Sequence, residues 1–400
     1  MTSLAGATQD EVRRSNLSLV LTLLHRRGAM SRSQIVATTG LNRSTVGDLV
    51  QQLDDAGLVR ESAGVGGGVG RPSLLVEPVA DSVVSVALDV RVERTVVAVI
   101  GLGGQVLHRD ERKHRERSPD VLLREVIDLA EDALARLDEP SSWIGAGIGV
   151  PGVVRVEDGL VRFAPNLGWV DFPLGQLVNE ALQSRYGARP VRVSNDSDLG
   201  VLAEHLRGAG QGADNVIFLS GEVGIGGGVI IDGRPLTGAG GYGGEAGHMR
   251  VNPLGRICRC GTRGCWETEI GREVLVSEAG LSVDDADVAD VIAAAAAGDR
   301  AARQALGSAA TWLGIGLGNL VNLFNPQTVV LGGHLGQVFS ADEERVNREL
   351  SAALPAAREQ VSINSTALGG DATLIGAGEL GFEQLLADPI GMLTGLRAAS

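Results

Sequence analysis

The chain has 400 residues, is 44% hydrophobic and 21% charged, and carries a formal net charge of −14 at pH 7. That length exceeds one small domain, the composition is that of an ordinary globular protein, and the acidic balance excludes a surface that coats nucleic acid throughout. No apolar run approaches the ~18 residues of a membrane span, and Met1 to Asp10 lacks the charged and apolar stretches of a signal peptide, so a cytoplasmic protein without a membrane partner is expected.

The first helical pattern covers residues 10–27, with Leu17, Val20, Leu21 and Leu24 at helical spacing and Gly28 as its stop. A second helix starts at Ser31, where Ser31 and Gln34 fit a capping box. Gly40 breaks the chain, Asn42 caps a third helix, and Val46, Leu49, Val50 and Leu53 form its apolar stripe. Two strand patterns follow, Leu58–Ser62 and Ser73–Glu77, joined by a glycine-rich stretch that ends in Arg71-Pro72. Three helices and a hairpin make a winged helix-turn-helix, placed at residues 1–78. Its third helix would enter the major groove by its first turn, so Arg43, Ser44 and Thr45 are the candidate DNA contacts. Gln51 and Gln52 lie further along that helix, and Arg71 at the wing tip is placed to reach a minor groove or a phosphate. Residues 1–80 hold eight Arg and seven acidic residues, so any DNA contact has to come from a local patch.

Residues 78–82 read as a linker, and an α/β texture begins at 83. Strands are expected at Val83–Asp89, Thr95–Ile100 and Ile144–Val150, with a third strand after Gly103-Gly104 and a helix over 118–137. A similar strand–turn–strand recurs at Val216–Ser220 and Gly227–Asp232, an echo that suggests two related lobes. A long helix over 300–324 should end at Asn325-Pro326, before a strand at Thr328–Leu331.

The chain has three cysteines, Cys258, Cys260 and Cys265. An odd number within eight positions is a metal cluster in want of a fourth ligand, not a disulfide framework. His248 completes a set of one imidazole and three thiolates, which is tetrahedral, soft and closed, hence a structural zinc site. Gly261 and Gly264 would let the backbone fold back so that the sulfurs converge.

The pattern Gly244-Glu245-Ala246-Gly247-His248, followed by Cys258-x-Cys260-Gly261-x-x-Gly264-Cys265-x-Glu267, resembles the signature of the ROK family of bacterial repressors, uncharacterised reading frames and sugar kinases. Asn195-Asp196, Pro165–Trp169 and Asn322–Gly333 resemble further family segments, and the likeness covers about residues 83–385. It implies an α/β, two-lobed actin/hexokinase-like domain over 83–400, with the zinc segment at 245–267 and a sugar or sugar phosphate in the cleft. It also implies sugar contacts from Asn166, Asn195, Asp196, Glu245, His248 and Glu267, chemistry suited to hydroxyls that both donate and accept. The fused winged helix matches the repressor branch.

The chain departs from a kinase at two loops. Where a kinase of this fold carries Asp-x-Gly-Gly-Thr, this sequence has Asp89-Val90-Arg91-Val92-Glu93. Where Gly-Thr-Gly-x-Gly is needed, it has Glu222-Val223-Gly224-Ile225-Gly226. A carboxylate ~5 Å from one phosphate charge costs about 3 kcal/mol at an effective dielectric of 20. The expectation is therefore a non-enzymatic, sugar-responsive regulator of repressor type, a homodimer or homotetramer on an inverted-repeat operator. The alternatives are a sugar kinase carrying a DNA-binding domain, and a regulator that answers to a protein partner.

Overall fold

The structure, a computed structural model, describes residues 8–63, 74–116, 118–137 and 143–398. Arg71 and most of the expected wing hairpin lie outside the described residues. The chain divides into two compact units, residues 1–194 with 377–400, and residues 195–376.

The first unit opens with α1 (Gln9–Arg27), β1 (Met30–Ser31), α2 (Arg32–Thr39), α3 (Arg43–Asp55), β2 (Val59–Ala63) and β3 (Leu74–Pro78). All three helices start on side-chain caps. Thr8 with Glu11 and Ser31 with Gln34 form reciprocal capping boxes, and Asn42 Oδ1 accepts from the Thr45 amide at 2.8 Å. Gly28 and Gly40 close the first two helices with positive φ. The stripe of α3 is fully buried against α1 and α2, each residue contributing about 1.5–3 kcal/mol of gross transfer energy. Strands β1 and β2 both pair antiparallel with β3. The two-residue β1 is too short for any periodicity to announce it. These elements are a winged helix-turn-helix. The expected linker is bonded in place, because the Val79 amide reaches the Leu58 carbonyl and the Leu102 amide reaches the Ala80 carbonyl.

The same unit continues with β4 (Val84–Val90), β5 (Arg94–Gly101), β6 (Val106–Lys113), α4 (Pro119–Leu134), β7 (Trp143–Val150), β8 (Val153–Arg155), β9 (Leu160–Ala164), β10 (Trp169–Phe172), α5 (Leu174–Tyr186) and β11 (Val191–Asn195). The second unit holds α6 (Asp196–Arg207), β12 (Val216–Gly221), β13 (Ile225–Ile231), β14 (Arg234–Pro235), α7 (Glu267–Ile270), α8 (Arg272–Glu278), α9 (Val288–Ala297), α10 (Arg300–Phe324), β15 (Thr328–Gly333), α11 (His334–Ala341), α12 (Glu343–Leu350), α13 (Pro355–Arg358) and β16 (Ser362–Ser365). Two C-terminal helices follow, α14 (Ala372–Ala387) and α15 (Pro389–Ala398).

Each unit carries a five-stranded sheet with the same strand order. In the first it is β11-β7-β4-β5-β6, and in the second β14-β13-β12-β15-β16, the same series run from the other edge. In both, the first strand pairs antiparallel with the second and parallel with the fourth. The strand–turn–strand echo at residues 216–232 is thus part of a repeat of topology. Strands β4, β5, β7 and β12 read as near-continuous apolar runs because they are buried along their length. The long α10 packs its small and aliphatic face into the second core and ends at Asn325, left-handed at φ 45°, before Pro326.

Candidate functional site

At the DNA-reading end, Arg43 and Ser44 are exposed on the first turn of α3 and Thr45 is half-buried. Ser44 Oγ donates to Asn42 Oδ1 at 2.7 Å, so it braces the cap. Gln51 is tied to Asp55 and Gln52 accepts from Arg13 of α1 at 3.1 Å. Both amides are thus engaged within the head, and Arg43 is the long cationic side chain presented at the entry turn of α3.

In the second unit, α6 and the Glu245–His248 turn bring several predicted residues together. Asn195 caps α6, its Oδ1 accepting from the Ser197 and Asp198 amides at 2.8 and 3.3 Å. Asp196 opens the helix and takes the Ser197 hydroxyl at 3.2 Å. Glycines at 226 and 227 admit these segments to β13, where a Cβ would stand 2.0 Å from Ser197 Oγ and 2.6 Å from the Gly244 carbonyl oxygen. His248 Nε2 lies 4.0 Å from Glu245 Oε2, and its Nδ1 lies 3.5 Å from Glu267 Oε1. Burial pushes the Glu245 carboxyl up, opposed by His248 and reinforced by Glu267. The sequence reading missed Asp198. Its carboxyl is pushed up to about 7, first by burial and then by Glu245. A second carboxylate two residues after Asp196, on the inward side of a helix start, was the available signal. Asn166 belongs to the first unit, in the Pro165–Gly168 turn between β9 and β10, and is half-buried.

His248, Cys258, Cys260 and Cys265 place their donor atoms within 4.8 Å of one another. Cys260 Sγ is 3.7 Å from Cys265 Sγ, and Cys258 Sγ is 3.7 Å from His248 Nδ1. Bonds of 2.0–2.3 Å to one tetrahedral ion separate donors by about that much. The turn is local: the Cys258 amide donates to the Thr262 carbonyl, the Gly261 amide returns to the Cys258 carbonyl, and the Cys260 amide points at Cys258 Sγ at 3.4 Å. Gly261 and Gly264 have φ of 88° and 77°, and a Cβ at Gly264 would stand 1.5 Å from the Asn252 carbonyl oxygen. Both glycines therefore do what their spacing announced. Backbone and side-chain hydrogen bonds, the Thr262 amide foremost, lower the Cys260 thiol to about 7, whereas burial raises Cys258 and Cys265. Cys258 also meets Glu267 Oε1 at 2.9 Å, a thiol-to-carboxylate bond. The set can hold a metal ion, with His248 bound through Nδ1 and its Nε2 turned towards Glu245.

The two turns that would cradle phosphates are equivalent in the repeat, each joining the first and second strands of its sheet. Between β4 and β5 the Arg91 amide is spent on the Arg94 carbonyl at 2.9 Å, and Arg91 Nε pairs with the nearly buried Asp89 at 2.6 Å. His114 adds two contacts, donating its amide to the Glu93 carbonyl and setting Nε2 3.0 Å from the Arg91 carbonyl. Glu93 is exposed at the tip. Between β12 and β13, Gly221 pairs with Ile225, and Glu222 and Val223 are exposed on the turn.

A winged helix-turn-helix followed by two α/β units of common strand order, with a set of one histidine and three cysteines beside a carboxylate cluster, defines a DNA-reading head on a sugar-kinase-type fold. The chain belongs to the ROK family, whose sequence pattern matches residues 85–383. It is 33% identical to the xylose repressor of Bacillus subtilis over 327 residues, 81% of this chain and 83% of that protein. Among solved structures it is similar to a ROK family transcriptional regulator described as a homologue of the E. coli Mlc protein, at 26% identity and a TM-score of 0.78, with 96% of this chain and 98% of that one covered. A ROK glucokinase from Streptomyces griseus, solved with glucose and AMPPNP, matches at 29% identity and a TM-score of 0.64, covering 74% of this chain and 98% of that one. The repressor-type match extends over the head; the kinase match is shorter. Among the described residues no helix is long and apolar enough to cross a membrane.

Proposed function

We infer that this chain is a sugar-responsive, DNA-binding transcriptional regulator of repressor type. The observation that carries this is the pairing of a winged-helix head with an α/β domain in a chain that matches repressors along most of its length. In this reading α3 docks in the major groove with Arg43, Ser44 and Thr45 foremost, and Arg71 reaches phosphate or the minor groove. The sugar is held by Asn166, Asn195, Asp196, Glu245, His248 and Glu267, with Asp198 added to that set. Asn195 contributes while its Oδ1 also caps α6.

The metal is zinc, held by His248, Cys258, Cys260 and Cys265. Three thiolates and an imidazole match its preference, and the four donors leave no open position for hydrolysis. These residues would hold a structural ion that orders the turn carrying His248, whose Nδ1 lies 3.5 Å from Glu267 Oε1.

The chain does not transfer phosphate. Both strand turns present an exposed carboxylate where a kinase presents glycine amides and a hydroxyl, and two such charges oppose a triphosphate. Asp196 then serves as a sugar ligand and has no phosphoryl group to direct. A sugar panel decides between the readings. Thermal unfolding of the full chain should shift with one sugar among D-xylose, D-glucose, amino sugars and their phosphates, since ligand at 100 times its Kd adds ~2.7 kcal/mol. The same sugar with ATP and magnesium in a coupled assay should give no turnover. Turnover would establish a kinase, and no shift with any sugar would favour a protein partner as effector.

A further inference from the structure

Helix α2 opens on Arg32, and that side chain leaves its own helix. Its Nε donates to Glu61 Oε1 of β2 at 2.6 Å, across 29 positions of sequence. The neighbouring Arg60 behaves differently. It stands opposite Glu77 in the β2–β3 register and pairs with it at 2.7 Å, an ordinary cross-strand contact. Glu61 stands opposite Val76, and successive side chains of a strand point to opposite faces, so its carboxylate turns from its own sheet to α2. The Arg32 side chain keeps 42% of its surface in solvent and that of Glu61 25%. The cation is therefore the outward partner, with the carboxylate behind it.

The far end of the guanidinium rests on α3. A Cβ at Gly47 would stand 3.4 Å from Arg32 Nη1. Gly47 lies in mid-helix, with no left-handed φ to require glycine. A glycine there costs a helix at least as much as an exposed ion pair typically returns, so stability of the head does not account for the arrangement. What the missing side chain gives is room. Arg43 stands four residues before Gly47, on the same side of α3, and is exposed. Two arginines thus serve one flank of the helix that docks in DNA.

The hold on Nε also decides what Arg32 can reach. Among the described residues, Nη1 and Nη2 have no other partner. A guanidinium fixed at its stem and laid against α3 is held back from the floor of a groove. Its outer N–H groups form the fork that phosphate oxygens accept.

We propose that Arg32 is a backbone-phosphate contact of the DNA-reading head, held by Glu61 over the space that Gly47 leaves. Arg32 touches the DNA and Glu61 is its positioning residue. The inference rests on the chain being a DNA-binding regulator, and all three residues belong to the first unit.

The test uses the full-length protein without sugar and the duplex that wild type selects from a randomised library, with binding measured over a range of salt. Arg32→Ala should weaken binding roughly 10-fold or more, equally on strong and weak selected sequences. It should also flatten the dependence of log K on log salt by about 0.9 for each head bound. Arg32→Lys keeps the charge and should keep the slope. A mere brace between α2 and β2 would lower the melting temperature of Arg32→Ala and leave the slope alone; an unchanged slope overturns the proposal. Two variants that remove the same charge judge Glu61. Glu61→Gln still offers Nε an acceptor and should bind DNA at least as tightly as wild type. Glu61→Leu offers none and should bind several-fold more weakly than Glu61→Gln, although charge repulsion by itself makes the two alike. Equal binding by the two overturns the positioning role. Failure of the functional reading looks different: wild type itself then selects no duplex, and the contact falls with it.

Discussion

Asp198 stands at the third position of α6, where burial withholds water from its charged form and Glu245 faces it. Its folded pKa, about 7, lies above the ordinary 3.8. The protonated form is thus favoured on folding: the stability this carboxyl contributes is complete below pH ~4 and is lost as the pH rises to about 7. Asn cannot ionise. Asp198→Asn should gain on wild type by something of the order of 2–4 kcal/mol at pH 8, and by far less at pH 5. Urea unfolding of both proteins at the two pH values measures this, and an equal gap at both would show an ordinary carboxylate. Asp196 makes a different case. Its carboxylate takes the Ser197 hydroxyl within its own helix start, and it belongs to the second unit and not to the winged-helix segment. Asp196→Ala should bind operator as wild type does and ignore sugar, a permanently repressing protein. Titrating both with the sugar found by thermal shift decides it; release at the same concentration would remove Asp196 from the sugar site.

At the scale of elements, the metal segment from Glu245 to Glu267 has little secondary structure of its own to hold it. Its regular structure is one three-residue 3-10 helix, two isolated bridges and one short helix start. A metal ion held there would therefore be coupled to local order. Purified protein with reduced thiols should contain one zinc per chain, and Cys260→Ser should lose both the metal and the response to sugar. Elemental analysis without zinc would end that assignment. Helix α3 is the opposite kind of element, held by a buried stripe and by a cap to which, among the described residues, the Arg43 side chain contributes no bond. Arg43→Ala should therefore leave the melting temperature unchanged. It should cost about 1–3 kcal/mol of operator affinity and relax base preference at one position, if the guanidinium reads a groove edge. A uniform loss across sequences in a binding-site selection would instead make Arg43 a phosphate contact.

For the whole molecule, the negative charge has a consequence. At −14 the chain as a whole opposes DNA, so one near-neutral head offers little affinity by itself. Two heads on a two-fold dimer would supply the missing contacts and read two half-sites in opposite orientation. The selected operator should be an inverted repeat, and footprinting should protect both halves. Protection of a single unrepeated half-site would count against a dimer. Sugar and operator should oppose each other reciprocally, because a ligand shifts an equilibrium only by its unequal affinity for the two states.

What could be read without coordinates was whatever the chain decides locally. Caps such as Ser31 and Asn42, the stripe of α3, the stop at Asn325-Pro326 and the four metal donors all act over a few residues, and sequence spacing alone constrains them. The carboxylate cluster was legible only through family likeness, since Asp196, Glu245 and Glu267 sit on separate segments. Three things depended on tertiary structure. β1 exists because β3 offers it an edge. Asp198 becomes a shifted carboxyl because the fold buries it in part and brings Glu245, far along the chain, near it. His25 is an ordinary residue near the end of a helix until a glutamate 354 positions away buries against it. Long-range pairings leave no period or spacing in the sequence, because the two partners are chosen by the fold and not by their neighbours.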